Sequence, residues 1–315
     1  MYGGVRVRAL QIASGMKALA LGVFAAVVAM AGCSASAGDD GESSTANLSQ
    51  QKTLLALGDS IAFAWDPTMP TVNGHVDATK YRGYADILGE RLGVAVENSA
   101  CPGEASGSFL DAKAEDNGCR QNRTQYKMHS DWGTAKTQME YAVSSLQKSI
   151  AAGNPPEIVT LSIGGNDLLL LEKSCKSWGF VTAGCEVAKL PFAEHAYGSH
   201  LEQIIKTIDD TGYRGTMVIV TTHAPDYSDM VANFGLGRFN SEIRESVKHV
   251  QEHLNMRVVV ADGFEAFKKE ADKFGGKTCE TGLLVKNPDG KTCDIHPSLA
   301  GHKVLADAIQ AAIAE

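Results

Sequence analysis

Ser60, His296 and Asn166 carry the side chains an acyl transfer needs, and each sits in a short block of turn-forming residues. Ser60 ends Gly58-Asp59-Ser60, just after the apolar run Thr53–Leu57. A hydroxyl there is a potential nucleophile, although a Ser in such a turn also serves as a turn residue or helix N-cap. His296, in Cys293-Asp294-Ile295-His296-Pro297, is a potential base. Asn166 follows paired glycines in Ser162-Ile163-Gly164-Gly165-Asn166-Asp167, and Gly103 ends Asn98-Ser99-Ala100-Cys101-Pro102-Gly103. The chemistry such a set supports is ester cleavage. His296 would take the proton of Ser60 as it attacks a carbonyl, then return it to the departing alcohol. The oxyanion would be held by the N–H groups of Ser60 and Gly103 and by the side-chain amide of Asn166. Gly103 has no Cβ to obstruct a substrate, and each such donor typically contributes about 3–4 kcal/mol.

Positioning these blocks requires a scaffold that brings distant segments to one edge. Five short apolar runs, Thr53–Leu57, Val94–Val96, Ile158–Ile163, Thr216–Thr221 and Arg257–Ala261, read as strands. Between them Tyr84–Leu92, Thr137–Ala151, Ala196–Thr211 and Arg238–Leu254 repeat apolar residues every three or four positions, and a last helix is expected over Leu299–Ala314. That alternation predicts a parallel sheet with helices on both faces. Ligands in such folds bind beyond the carboxyl ends of the strands, where the four blocks fall. Glu104–Lys136 and Leu171–Glu194 read as long polar connections, cysteine-bearing walls around the site.

The ordered set Gly58-Asp59-Ser60, Gly103, Gly164-Gly165-Asn166-Asp167 and Asp294-Ile295-His296-Pro297 resembles the SGNH hydrolases, also called GDSL esterases/lipases. The resemblance runs from Thr53 to the last helix. The Asn-x-Ala-Cys-x-Gly form of the second block is similar to the secreted, disulfide-bonded actinobacterial branch. It implies an α/β fold, a flavodoxin-like three-layer α/β/α sandwich with a five-stranded parallel sheet. It also implies Ser60 as nucleophile, His296 as base, and Gly103 and Asn166 in the oxyanion hole, with no metal or organic cofactor. One position departs from the family pattern. The acidic residue usually stands three before the histidine, where this chain has Cys293; Asp294 stands two before. Residues i and i+2 of an extended segment point the same way, which makes Asp294 the candidate third member. A backbone carbonyl such as that of Cys293 is the alternative partner of the ring.

The N-terminus has a separate role. Arg6, Arg8 and Lys17 precede an apolar stretch, Ala18–Ala31, too short to span a membrane but suited to a secretory signal. Met30-Ala31-Gly32-Cys33 looks like a lipobox, so residues 1–32 are expected to be a lipoprotein signal peptide with Cys33 lipidated. A plain cleaved signal is the alternative. Residues 33–51, small, polar and acidic, suit a flexible tether, and residues 52–315 a single hydrolase domain. The expected product is exported and anchored to a membrane by lipid, or otherwise secreted. Removing residues 1–32 takes the formal charge from −8 to −11, which argues against a nucleic-acid partner. Six cysteines remain after Cys33, an even number behind an export signal. Their clustering favours the pairs Cys101–Cys119, Cys175–Cys185 and Cys279–Cys293 among 15 possible connectivities.

Other signals are weaker. His249-Val250-Gln251-Glu252-His253 matches a zinc-protease pattern. Its helix carries Ile243, Val247, Val250 and Leu254 as an apolar stripe, so a solvated helix face fits better. A zinc-dependent hydrolase and a non-catalytic surface-binding lipoprotein on the same fold stay open as alternatives. His223 could touch substrate, but a hydrogen-bonded loop histidine is the expected role, and His302 is expected to be structural. Trp65, Tyr126, Trp132 and Trp178 could line an acyl or aromatic pocket, but scattered aromatics such as these are expected among core and rim residues. A lipid, a glycan ester or a small acyl ester all present a similar carbonyl. Nothing suggests an obligate assembly, so a monomer is expected.

Overall fold

The computed structural model describes residues 51–68, 71–72, 75–77, 80–176 and 182–315. The expected signal peptide, Cys33 and nearly all of the tether lie outside the described residues, as does Trp178. In strand β1 (Thr53–Gly58) the stretch Leu54–Leu57 is apolar at every position because both faces of the strand are covered. Strand alternation sends Leu54 and Ala56 into one core layer and Leu55 and Leu57 into the other.

After β1 come helix α1 (Ser60–Phe63), the small pair β2 (Thr71–Val72) and β3 (His75–Val76), α2 (Tyr84–Leu92) and β4 (Ala95–Asn98). Then follow α3 (Ser106–Leu110), α4 (Cys119–Gln125), α5 (Gln138–Ala151), β5 (Ile158–Ser162), α6 (Gly165–Lys176) and α7 (Thr182–Asp210). The chain continues through β6 (Thr216–Val220), α8 (Met230–Gln251), β7 (Arg257–Ala261) and α9 (Gly263–Ala271). A hairpin, β8 (Leu284–Lys286) with β9 (Cys293–Pro297), leads into α10 (Leu299–Ala314). Five strands form one parallel sheet in the order β4-β1-β5-β6-β7. Tyr84 and Leu88 of α2 pack with Leu305 and Ile309 of α10 on one face. Leu146 of α5, Leu201 and Ile205 of α7 and Ile243 and Val247 of α8 cover the other. The result is the expected three-layer α/β/α sandwich. The strand order reverses between β1 and β5, the place where ligands bind in this architecture.

Two helices extend beyond their sequence-based bounds. Leu171–Glu194, expected as a polar connection, is helical up to Lys176 and again from Thr182, where it opens the 29-residue α7. Pro191 lies inside that helix. A proline there ordinarily signals a break, but the helix is carried through by its packing against α6 and α8. Likewise α8 begins at Met230, not Arg238. Asp229 caps it by accepting the N–H groups of Val231 and Ala232 at 3.0 and 3.1 Å. Gly235 and Gly237, which weaken a helix by propensity, fall within it. Disulfides join Cys101 to Cys119, Cys175 to Cys185 and Cys279 to Cys293, with Cα atoms 5.5, 5.7 and 5.6 Å apart.

Candidate active site

Ser60 owes its place to the two residues before it. Gly58 has φ +129°, and a Cβ there would lie 1.9 Å from the carbonyl oxygen of Ser162. Only glycine lets β1 pass the end of β5 this closely. Asp59 then donates its backbone N–H to that same oxygen at 2.9 Å, and its side chain accepts the N–H of Ile61 at 2.9 Å. The chain therefore turns at once, and Ser60 becomes the first residue of α1. Asp59 is buried, and burial, reinforced by the charges of Asp167 and Glu104, pushes its carboxyl up to about 7.

Gly103 lies across from this turn. Its φ is +89°, and a Cβ would come 2.5 Å from the carbonyl oxygen of Asn117. Its own carbonyl accepts the N–H of Asn117 at 2.8 Å. Asn166, near the start of α6, donates Nδ2–H to the Glu104 carbonyl at 2.9 Å. A carbonyl can only accept, so this bond fixes which end of the amide is nitrogen. The Oδ1 of Asn166 in turn accepts from Nδ2 of Asn117 at 3.0 Å. The amide is thus held at both ends, with one Nδ2 hydrogen used by neither contact.

Behind these groups lies a buried network that nothing in the sequence singles out. The carboxyl of Glu104 accepts from Ser108 Oγ and from Gln138 Nε2, the latter at 3.2 Å. Gln138 also clasps Gly58, accepting its N–H at 2.6 Å and donating to its carbonyl at 2.9 Å. One α5 side chain therefore ties the strand end before Ser60 to the loop of Gly103. Glu104 is only 2% exposed, and burial pushes its carboxyl up to about 7. Asp167 accepts the N–H and Oγ–H of Ser106 at 3.0 and 2.5 Å. Ser106 Oγ lies 2.9 Å from Nδ1 of His200 on α7. That chain anchors the start of α6 to α3 and α7.

His296 arrives on β9, an extended strand, so Asp294 and His296 share a side. Oδ1 of Asp294 accepts the backbone N–H of His296 at 3.0 Å and also bonds Nδ1 of its ring. The His296 hydrogen bond holds the Asp294 carboxyl below its ordinary value. With Nδ1 carrying the shared hydrogen, Nε2 is left as the basic nitrogen. His223, beyond the end of β6, lies with Nε2 2.9 Å from the carbonyl oxygen of Ile295 and must be the donor. Its ring packs on Phe267 at 4.5 Å. Burial lowers its pKa to about 4, so it stays neutral at ordinary pH. It thereby holds the peptide between Asp294 and His296 from behind. His302, buried on α10, is lowered to about 3 by the same cause.

Ser60, Gly103, Asn166, His223 and His296 line one cleft of about 780 Å³ at the ends of β1, β5 and β6. Trp65 lines it as well, stacked on Tyr81 with 5.6 Å between ring centroids. Tyr126 packs against Trp65, whereas Trp132 is buried elsewhere beneath the guanidinium of Arg123, 3.8 Å above its ring. The zinc-like triplet does not converge: α8 ends at Gln251, before Glu252 and His253. His249 bonds Glu202 of α7 at 2.6 Å instead. Among the described residues, the side chains closest to a metal-ligand arrangement are Cys101, Glu104 and Cys119. The two sulfurs of that trio are already bonded to each other.

Among solved structures, the chain is similar to an acetylxylan esterase from Geobacillus stearothermophilus, at 15% identity over 84% of this chain and 94% of that one, TM-score 0.49. It is similar to an α/β hydrolase enzyme from the metagenome of Lake Arreo, Spain, at 16% identity, 84% and 95% coverage and TM-score 0.48. A member of the lipolytic protein G-D-S-L family from Veillonella parvula matches at 14% identity, 84% and 99% coverage and TM-score 0.45. No curated protein matches the chain. Residues 56–304, which run from β1 into α10 and take in all four blocks, match the sequence profile of the GDSL-like lipase/acylhydrolase family. The chain belongs to that family, and it is a carboxylic ester hydrolase.

Proposed function

We propose that the protein is an exported serine esterase that works through an acyl-enzyme at Ser60, with His296 as base and Asp294 as its partner. The observation that carries this reading is the single cleft shared by Ser60, Gly103, Asn166 and His296, with Asp294 on the ring's other nitrogen. In the first half-reaction Ser60 Oγ attacks the ester carbonyl while Nε2 of His296 takes its proton. The developing oxyanion is met by the N–H groups of Ser60 and Gly103 and the free Nδ2–H of Asn166. Collapse breaks the ester C–O bond, and the imidazolium gives its proton to the leaving alcohol. In the second half-reaction a water, deprotonated by His296, attacks the acyl-enzyme and releases the acid. Throughout, the Asp294 carboxylate stabilises the imidazolium and keeps the ring turned.

The decisive comparison is hydrolysis of p-nitrophenyl acetate by the wild type and by Ser60→Ala. The variant is expected to lose about 10⁴–10⁶-fold in kcat with an unchanged melting temperature; equal rates would reject Ser60 as nucleophile. Export rests on the basic-then-apolar N-terminus ending at Cys33, and three disulfides suit an oxidising compartment. With Cys33 acylated, the protein sediments with membranes and Cys33→Ala releases it to the soluble fraction. A wild type found wholly soluble would leave plain secretion.

A further inference from the structure

We propose that the cleft is a two-part site whose outer part is a groove for a hydrocarbon acyl chain, so that medium- to long-chain fatty esters are preferred over acetylated sugars. This deepens, and rests on, the reading of Ser60 and His296 given above. From Ser60 the cleft runs out between α6, α7 and α8. Its walls there are Leu168 and Leu171 of α6, Val187 and Leu190 of α7, and Val231 and Phe234 of α8. Val187, Val231 and Phe234 are 64%, 73% and 58% exposed. Large apolar side chains left in water on two facing helices, continuous with a reactive centre, indicate a ligand that covers them.

Two of the three carboxylates on this wall already have partners. Three carboxylates, Glu172, Glu186 and Asp229, reach the cleft wall. Glu172 pairs with Lys176, and Asp229 is spent on capping α8. A glycan laid along Leu, Val and Phe would lose water from its hydroxyls without regaining hydrogen bonds, at a cost. A methylene chain has no such loss. The groove is also held at a set width, because the Cys175–Cys185 bond ties the end of α6 to the start of α7 beside Leu171 and Val187.

Each methylene moved from water into the groove contributes about 0.8 kcal/mol, or about fourfold in kcat/KM. The test is kcat/KM on monomeric p-nitrophenyl esters from acetate to decanoate, with the full chain and with Val231→Asp/Phe234→Asp, two exposed positions that leave the core intact. In the wild type, kcat/KM is expected to rise about fourfold per methylene from butanoate to octanoate. In the double variant the ratio of octanoate to acetate is expected to fall at least tenfold. A wild-type profile that is flat or falls with chain length overturns the groove. So does an unchanged ratio in the variant, or a higher kcat/KM on acetylated xylo-oligosaccharide than on the octanoate ester. Ser60-dependent acetate hydrolysis with a flat profile removes the groove alone; acetate hydrolysis that survives Ser60→Ala removes the nucleophile instead.

Discussion

At the inner end of the cleft, four polar pairs join residues far apart in the chain: Gln138 to Gly58, Asn117 to Asn166, Ser106 to Asp167, His223 to Ile295. At the outer end, between α6, α7 and α8, the walls are Leu, Val and Phe side chains, several of them well exposed. Hydrogen bonds are directional and costly to leave unmade in a buried place. The inner end is therefore a rigid frame in which a small error of position is a large error of chemistry. Apolar contact has no preferred direction. The outer end can thus accept chains of different length, its affinity set by covered area. One cleft combines an exacting half and a tolerant half.

Substitutions at the inner end should cost far more than any at the outer end. The largest effect after Ser60 is expected for Asp294→Asn, about 10³–10⁴-fold in kcat, because the amide favours the wrong imidazole tautomer and cannot stabilise its charge. A loss of less than about tenfold, measured by steady-state kinetics, would transfer the orienting role to a backbone carbonyl. Asn166→Ala removes one of the oxyanion donors proposed above and is expected to lower kcat about 10²–10³-fold. The loss should be equal for acetate and octanoate, since the missing bond lies at the carbonyl oxygen, which every ester shares. His223→Phe keeps the ring on Phe267 but frees the Ile295 carbonyl. A drop of about tenfold in kcat with KM nearly unchanged is expected; a shift in KM alone would make His223 a substrate contact.

The smallest effect on catalysis, and the clearest on stability, concerns Glu104. Its folded-state pKa, about 7, lies above the ordinary 4.5, so the folded protein holds the extra proton between those values. The stability contributed by the neutral carboxyl is complete below about pH 4.5 and is lost as pH rises through about 7. Relative to Glu104→Gln, the wild type should therefore lose about 3 kcal/mol between pH 4 and pH 8. Denaturant titrations at the two pH values give the gap; an equal gap at both would mean that Glu104 is not held protonated by burial.

Much of the geometry at the inner end was legible because its cues are local. Gly58 and Gly103 stand where a backbone must turn against another strand or loop. Asp294 and His296 sit two apart on a strand, and the two-residue repeat puts both side chains on one side. Apolar runs alternating with helical patterns predicted the five parallel strands. The outer half was harder to see. Pro191, Gly235 and Gly237 read locally as breaks, yet they lie inside α7 and α8. Those helices hold because tertiary burial outweighs a propensity cost of roughly 1 kcal/mol per glycine and 3 per proline. Asn117, Glu104 and Gln138 were invisible for another reason: their types are common, and their roles come only from what lies across the cleft.

The order of the residues alone determined which groups could react, that a parallel sheet would carry them, and that an acid two places before His296 could face its ring. These follow from dihedral preference and the period of a strand, properties of neighbouring residues. Only the tertiary structure decided which amide hydrogen of Asn166 is free, what holds the Ile295 peptide, and that an apolar groove continues from Ser60. Each depends on atoms brought together from distant positions, 80 residues apart for Gly58 and Gln138. Such contacts form when the whole core closes, and no stretch of chain encodes them by itself.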